Sequence, residues 1–191
     1  LGRRYQQVIR INSQSGKGGV AYVLEQDYGI QLPRWMQIDF SALVQKATEI
    51  RATEISAEDI WKLFQSHYMS TVDNTKLTQF SLSRENDRDA LTANIKSATH
   101  VIEISGSGTG VIDAFTNAIQ NHMGKNIVVV DYSEHAVTHS TDSEAIAYVN
   151  LNIDGERVCG AAMSKDIVEA SLNAMLSAIN QASTNLIAQA A

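Results

Sequence analysis

Apolar and polar positions along the chain change their period near residue 70. Up to that point the spacing is helical. In GKGGVAYVLEQDYG the apolar Val20, Val23 and Leu24 fall on one face, and Gly29 stands where a left-handed C-terminal cap is needed. Pro33 suits the first turn of a second helix, whose apolar surface is Trp35, Phe40, Leu43, Val44 and Ala47. Ser56 followed by Asp59 gives a capping-box-like start to a third helix carrying Ile60, Leu63 and Phe64. From about Thr71 the apolar runs become short, alternating or β-branched: KLTQFSLS, ALTANIK, HVIEIS, NIVVVDYSEHAV, AIAYVNLNI and RVCGAA, with polar turns between them. Asp154-Gly155 separates the last two and predicts a hairpin, because both central positions of a type I′ turn need positive φ.

The second part of the chain repeats itself. Sliding the sequence by the interval from Val101 to Val158 aligns VIEISGSGTGVIDAFTNAI with VCGAAMSKDIVEASLNAML without a gap. Ser107 then matches Ser164, Val111 matches Val168, Phe115 matches Leu172 and Ile119 matches Leu176. Val111, Phe115 and Ala118 form one helical stripe, as do Val168, Leu172, Met175 and Ile179. Each half therefore reads strand, strand, strand, helix. The expected fold is α+β, a helical subdomain over residues 1–70 followed by a pseudo-symmetric (βββα)2 domain over 71–191. Sheet edges in such an arrangement invite pairing with a second chain, so a homodimer is expected.

Bulk composition narrows the function. With 191 residues, 44% hydrophobic and 19% charged, the chain is globular and large enough for one medium core or two small ones. A net charge of −6, without clusters of Lys and Arg, argues against nucleic acid and anionic membrane as partners. No apolar run has the roughly 18 residues of a membrane span, and one cysteine, Cys159, can form neither an internal disulfide nor a thiolate metal site. A soluble cytoplasmic protein is expected. The chain starts at Leu1 and not at methionine, and we expect a piece of a longer protein.

Several segments invite a chemical reading. NSQSGKGG, from Asn12, departs from the phosphate-loop pattern, since Gly18 follows Lys17 where Ser or Thr is required. A glycine-rich turn capped by Ser13 or Ser15 at a helix start is the alternative. GSGTG, from Gly106, is GxGxG and lacks the context of a dinucleotide fold. It leads from a strand into a helix N-terminus, where free backbone N–H groups and the helix dipole favour a carboxylate as much as a phosphate. The second copy has no glycine in its place, so either a ligand approaches the first copy closely or a tight turn there needs positive φ. Asp131, His135 and His139 share a strand face as a candidate metal set, although solvated polar residues are the commoner reading. His67, His100 and His122 stand alone, and Cys159 in its apolar strand reads as a buried inert thiol. No nucleophile, base and orienting group assemble, which points to a binding or regulatory module.

Taken as strings, LGRRYQQVIRINSQSGKGGVAYVLEQDYGIQLPRWMQIDFSALVQ resembles the region that follows the catalytic barrel in the 2-isopropylmalate synthase family. ISGSGTGVIDAF and VVVDYSEHAV are similar to that family's C-terminal regulatory domain. The resemblance covers essentially the whole chain. It implies a parent acyltransferase that condenses acetyl-CoA with 2-oxoisovalerate in leucine biosynthesis under feedback inhibition by leucine. It also implies that the catalytic barrel, with its divalent metal, lies outside this chain, which would hold no cofactor and be inactive alone.

The same resemblance implies a dimer of βββα units with leucine held near the subunit interface. Matched motif by motif, Gly108 and Gly110 would present backbone to the polar end of the effector, and Ile112 and Asp113 would open the following helix. Val129, Tyr132 and Ala136 on one strand, with Ser143 and Ala145 beyond it, would line the rest. Two departures from the family pattern stand out: Val111-Ile112-Asp113 replaces Pro-Leu-Ala, and Ser143 replaces a small apolar residue. Asp113 would either bond the ligand ammonium or narrow an apolar pocket. Related citramalate and homocitrate synthases would keep the architecture and change the effector, and a purely structural dimerisation module would bind no amino acid.

Overall fold

A computed structural model describes residues 17–51, 55–69, 75–97, 100–137 and 143–189. The chain divides into two compact units, Leu1–Gln65 with Val137–Thr141, and Ser66–Ala136 with Asp142–Ala191. Five helices and two three-stranded antiparallel sheets among the described residues make the fold α+β with a repeated βββα arrangement.

Helix α1 spans Lys17–Tyr28, α2 Arg34–Arg51 and α3 Ala57–Tyr68. Helix α1 buries Val20, Val23 and Leu24. It ends as its glycine predicts: Gly29 sits at φ 69°, its N–H donates to Glu25 O, and Ile30 N–H donates to Leu24 O. Pro33 stands immediately before α2 and its carbonyl accepts from the N–H groups of Met36 and Gln37. The buried stripe of α2 is Met36, Phe40, Val44 and Thr48, while Trp35, Leu43 and Ala47 are half-buried on its flank. Thr48 tolerates burial because its hydroxyl donates to Gln45 O at 2.7 Å. Ser56 caps α3, accepting from Asp59 N–H at 3.1 Å and donating to the Asp59 carboxylate at 2.8 Å. Phe64 packs edge-on against Phe40 and stacks with Trp61, which stacks in turn with Tyr28. The stretch from Asn12 to Gly16, with Ser13 and Ser15, lies outside the described residues; from Lys17 onward Gly18 and Gly19 belong to the first turn of α1.

In the second unit, β1 Lys76–Glu85, β2 Arg88–Ser97 and β3 His100–Gly108 form one antiparallel meander, and α4, Val111–Met123, follows. Strands β4 Ile127–Ala136, β5 Ala145–Ile153 and β6 Glu156–Ser164 form the second, followed by α5, Ile167–Gln189. Two tight hairpins use residues at positive φ: Asn86 and Asp87 between β1 and β2, and Asp154 and Gly155 between β5 and β6, as expected of Asp-Gly. Asp154 also ties the hairpin to the α4–β4 connection, accepting from Asn126 N–H at 3.0 Å and from Lys125 Nζ at 3.1 Å. The first strand of each sheet carries a bulge, at Thr78 in β1 and at Val130 in β4.

One apolar core joins the two repeats. It runs from Leu91, Ala93, Ile95 and Ile104 through Phe115 and Ile119 of α4 to Val149 and Leu151 of β5 and Leu172, Met175 and Ile179 of α5. Each helix settles onto a strand glycine. A Cβ on Gly106 would lie 2.5 Å from Ala114 O and 2.6 Å from Ala118 N, and one on Gly160 would overlap Ala174 O and Ala178 N. The repeat thus places a small-residue pair of each helix directly over a side-chain-free point of its own sheet. Among the described residues no helix is long and apolar enough to cross a membrane.

Candidate functional site

The glycines of GSGTG answer to different demands. Gly106 and Gly108 lie where α4 comes closest to β3; a Cβ on Gly108 would meet Asp113 Oδ2 at 2.6 Å and the Ala114 backbone. Neither they nor Gly110 adopt positive φ, so the expectation of a strained turn is corrected in favour of helix packing. Gly110 has open space around it and extended φ of −160°. It occupies the N-cap of α4 and provides no capping side chain. The first helical bond, Ala114 N–H to Gly110 O, leaves the N–H groups of Val111, Ile112 and Asp113 without intrahelical partners.

Its counterpart in the second repeat is closed. There Asp166 holds the N-cap of α5, and its Oδ1 accepts from Val168 N–H at 2.8 Å and Glu169 N–H at 3.0 Å. A carboxylate of the chain itself thus fills in α5 the position that α4 leaves open.

The open end of α4 borders a cleft of about 720 Å³. Thr109 to Asp113 form one wall, Thr116, Asn117 and Gln120 continue along α4, and Asn126 to Val129 at the start of β4 form the other side. Four residues named from the sequence, Gly110, Ile112, Asp113 and Val129, therefore meet here, while Gly108 is packed beneath the helix end.

Strand β4 carries the remainder of the expected site away from the cleft. Alternation would put Val129 and Tyr132 on opposite faces. The bulge at Val130 cancels that: Val129 pairs with Leu151, Tyr132 with Val149 and Ala136 with Ala145, and Val149 and Leu151 belong to the core beneath α5. Val129, Tyr132, Ala136 and Ala145 consequently share the α5-facing side, a grouping that sequence alternation alone hides. Ser143 lies exposed just before β5 at φ 53° and lines no part of the cleft.

Tyr132 is held at the edge of α5: its hydroxyl donates to the Glu134 carboxylate and lies 2.6 Å from Ser171 Oγ. Burial and then the Glu134 carboxylate push its phenol up to about 12. The unfolded phenol, near 10, releases its proton first as pH rises, so stability falls between about pH 10 and 12. Alkaline denaturation should show a shallower loss over that window in Tyr132→Phe; identical profiles would mean that the phenol is not held this way.

On the opposite face of the same sheet, Asp131 accepts from Asn150 Nδ2 at 3.0 Å and His135 Nε2 contacts Tyr148 Oη at 2.9 Å, with the two rings stacked. Burial raises the Tyr148 phenol well above its ordinary range. Two of the three candidate metal ligands are thus engaged with β5, and His139 lies outside the described residues. Cys159, pairing with Asn150 across β5 and β6, is half-buried and so less enclosed than expected.

Comparison with known proteins fits a regulatory architecture. The profile of the LeuA allosteric (dimerisation) domain matches residues 54–183, which contain both βββα repeats and the cleft. The chain belongs to the LeuA allosteric domain family. Residues 1–25 match a second family, described as the alpha-isopropylmalate synthase, post-catalytic domain-like family. Among curated relatives, a 2-isopropylmalate synthase of Thermobifida fusca is 42% identical over 182 residues, covering 95% of this chain and 32% of that protein. Enzymes of the same name from Mycobacterium leprae and Rhodospirillum rubrum are 40% and 38% identical, with 30% and 34% of their lengths covered. This LeuA-type chain spans about a third of the length of the relatives it matches. The family match over residues 54–183 includes the α4 N-terminus and all of β4.

Proposed function

We propose that this chain is the regulatory, dimer-forming part of a cytoplasmic 2-isopropylmalate synthase, and that it binds leucine at the open N-terminus of α4. The parent enzyme would join acetyl-CoA to 2-oxoisovalerate at a metal-dependent barrel elsewhere in the protein, and leucine bound here would inhibit it. The observation that carries this reading is the contrast between the two repeats: α5 has its N-terminal N–H groups satisfied by Asp166, and α4 presents the same groups to a cleft. Backbone N–H groups at a helix N-terminus suit the carboxylate of a small zwitterion. Val111, Ile112, Val128 and Val129 supply apolar surface for a branched side chain beside it. The β4 row of Val129, Tyr132 and Ala136 extends this surface towards the exposed sheet edge, where a second copy would pair. Inhibition then requires that leucine bind two states of the assembly with different affinity.

Thermal unfolding with leucine, isoleucine, valine and lysine tests the reading. Leucine at 100 times its dissociation constant should add about 2.7 kcal/mol of stability. Indifference to every amino acid would instead support a purely structural dimerisation module, a reading favoured by the packing role of Gly106 and Gly108. A response to isoleucine or lysine in place of leucine would move the chain to a related synthase with another effector.

A further inference from the structure

The hairpin between β5 and β6 combines a chemically labile sequence with restraints on both of its reacting groups. Asp154-Gly155 is the chain's one Asp-Gly step. Where glycine follows aspartate, no Cβ shields the next amide nitrogen, and that nitrogen can attack the aspartate Cγ. The new C–N bond closes a five-membered succinimide, while the protonated carboxyl loses its hydroxyl, which leaves with the amide proton as water. Water then adds back. Opening at the α-carbonyl leaves the backbone running through the side chain, as isoaspartate.

In the folded chain both partners of that attack are engaged. Gly155 N–H donates to Asn152 Oδ1 at 2.8 Å, which holds the nucleophile's proton in an intramolecular bond. Asp154 Oδ1 accepts from Asn126 N–H at 3.0 Å and Oδ2 from Lys125 Nζ at 3.1 Å. Cγ therefore cannot turn towards Gly155 N unless both bonds break. The same donors, the Asn126 amide first and then the Lys125 ammonium, hold the carboxyl below its ordinary pKa, and the ionised form has no hydroxyl to lose. Asp154 N–H donates in turn to Asn126 O at 3.0 Å, which seats the turn on the α4–β4 connection.

We propose that Asp154 is a site of isoaspartate formation that the fold holds closed, through the bonds of its carboxylate to Asn126 and Lys125 and the bond of Gly155 to Asn152. The inference is independent of any ligand. Conversion proceeds when the hairpin lifts off the α4–β4 connection, so its rate reports how often these bonds open together. Once formed, isoaspartate adds a methylene to the backbone at the turn and no longer presents the side-chain carboxylate that Asn126 N–H and Lys125 Nζ bind. Asn126 opens the β4 side of the cleft, so the damage reaches that wall.

Ageing the chain at neutral pH and physiological temperature tests the proposal, with isoaspartate detected by an isoaspartyl carboxyl methyltransferase and placed at residue 154 by peptide fragmentation. The folded wild type should convert at least about 10-fold more slowly than the same chain in guanidinium chloride. Asn152→Ala releases the Gly155 amide, and Lys125→Met releases Oδ2. Each should speed conversion in the folded chain by about 5-fold, the factor for one ordinary hydrogen bond, and leave the rate in denaturant unchanged. If Asn152→Ala fails to fold, Lys125→Met carries the comparison, since the lysine side chain is partly exposed. Equal rates in folded and denatured wild type would overturn the proposal, as would folded variants that age no faster than the wild type.

Discussion

Gly160→Ala is expected to destabilise the chain by about 3 kcal/mol, at the upper end of ordinary overpacking costs, because the new methyl group meets backbone. The Cβ would overlap Ala174 O and Ala178 N of α5 and lie 2.9 Å from Ala178 Cβ. No rotamer change relieves a clash with a carbonyl, so α5 must move away from β6 or the strand must bend. Either movement opens the core around Leu172, Met175 and Val158, which are buried to within a few per cent. Gly106→Ala should behave alike, since its Cβ would meet Ala114 O and Ala118 N of α4. Gly110→Ala is the internal control. That site is extended and has no neighbour within 4 Å, so its stability should change little. For a chain of this size the loss at Gly160 corresponds to a fall in melting temperature of roughly 6 to 12 °C. A Gly160→Ala protein melting with the wild type would show that α5 does not rest on β6 as described.

This division among glycines marks the limit of what the sequence reveals. Periodicity identifies all six strands and the three N-terminal helices, and the repeat announces the βββα arrangement, because these depend on local patterns that a buried face imposes. Asp154-Gly155 is legible for the same reason: its backbone demand is met within two residues. The Asn86-Asp87 hairpin is easier to miss, since neither residue is glycine and both still take positive φ. Gly106 and Gly108 look like ligand-contacting residues from sequence, yet their first constraint is α4, a packing partner whose approach no local pattern encodes. The α2 stripe shows a similar gap. Met36 and Thr48 complete it beside Phe40 and Val44, but a threonine reads as polar until its hydrogen bond to Gln45 is seen. In the candidate site, Gly110, Ile112, Asp113 and Val129 converge, while the alignment of Val129 with Tyr132 depends on the bulge at Val130. A bulge changes register without changing composition, so strand alternation applied to VVVDYSEHA separates residues that the fold unites.

The largest loss is predicted for Phe115→Ala. Phe115 is fully buried in the core and is among the largest enclosed side chains of the second unit. It sits on α4 between Ala114 and Ala118, the residues that rest on Gly106, and it corresponds to Leu172 of α5 in the repeat. Truncation removes the transfer free energy of the ring and leaves a cavity, because the helix cannot settle further onto a strand it already touches at Gly106. Together these effects should cost about 3 to 5 kcal/mol, a large share of the roughly 5 to 15 kcal/mol that folded domains possess. In guanidinium denaturation the midpoint should fall with little change in slope, and Phe115→Leu should lose distinctly less because it keeps most of the volume. The effect should also reach the cleft. Its wall from Thr109 to Asp113 is the first turn of the same helix, so an α4 that is less firmly seated presents its N–H groups less sharply. Under the proposed function, leucine affinity measured well below the melting temperature should therefore fall in Phe115→Ala although the substituted side chain does not line the cleft. Unchanged affinity in a destabilised but folded variant would separate the seating of α4 from ligand binding and place the recognition surface mainly on β4.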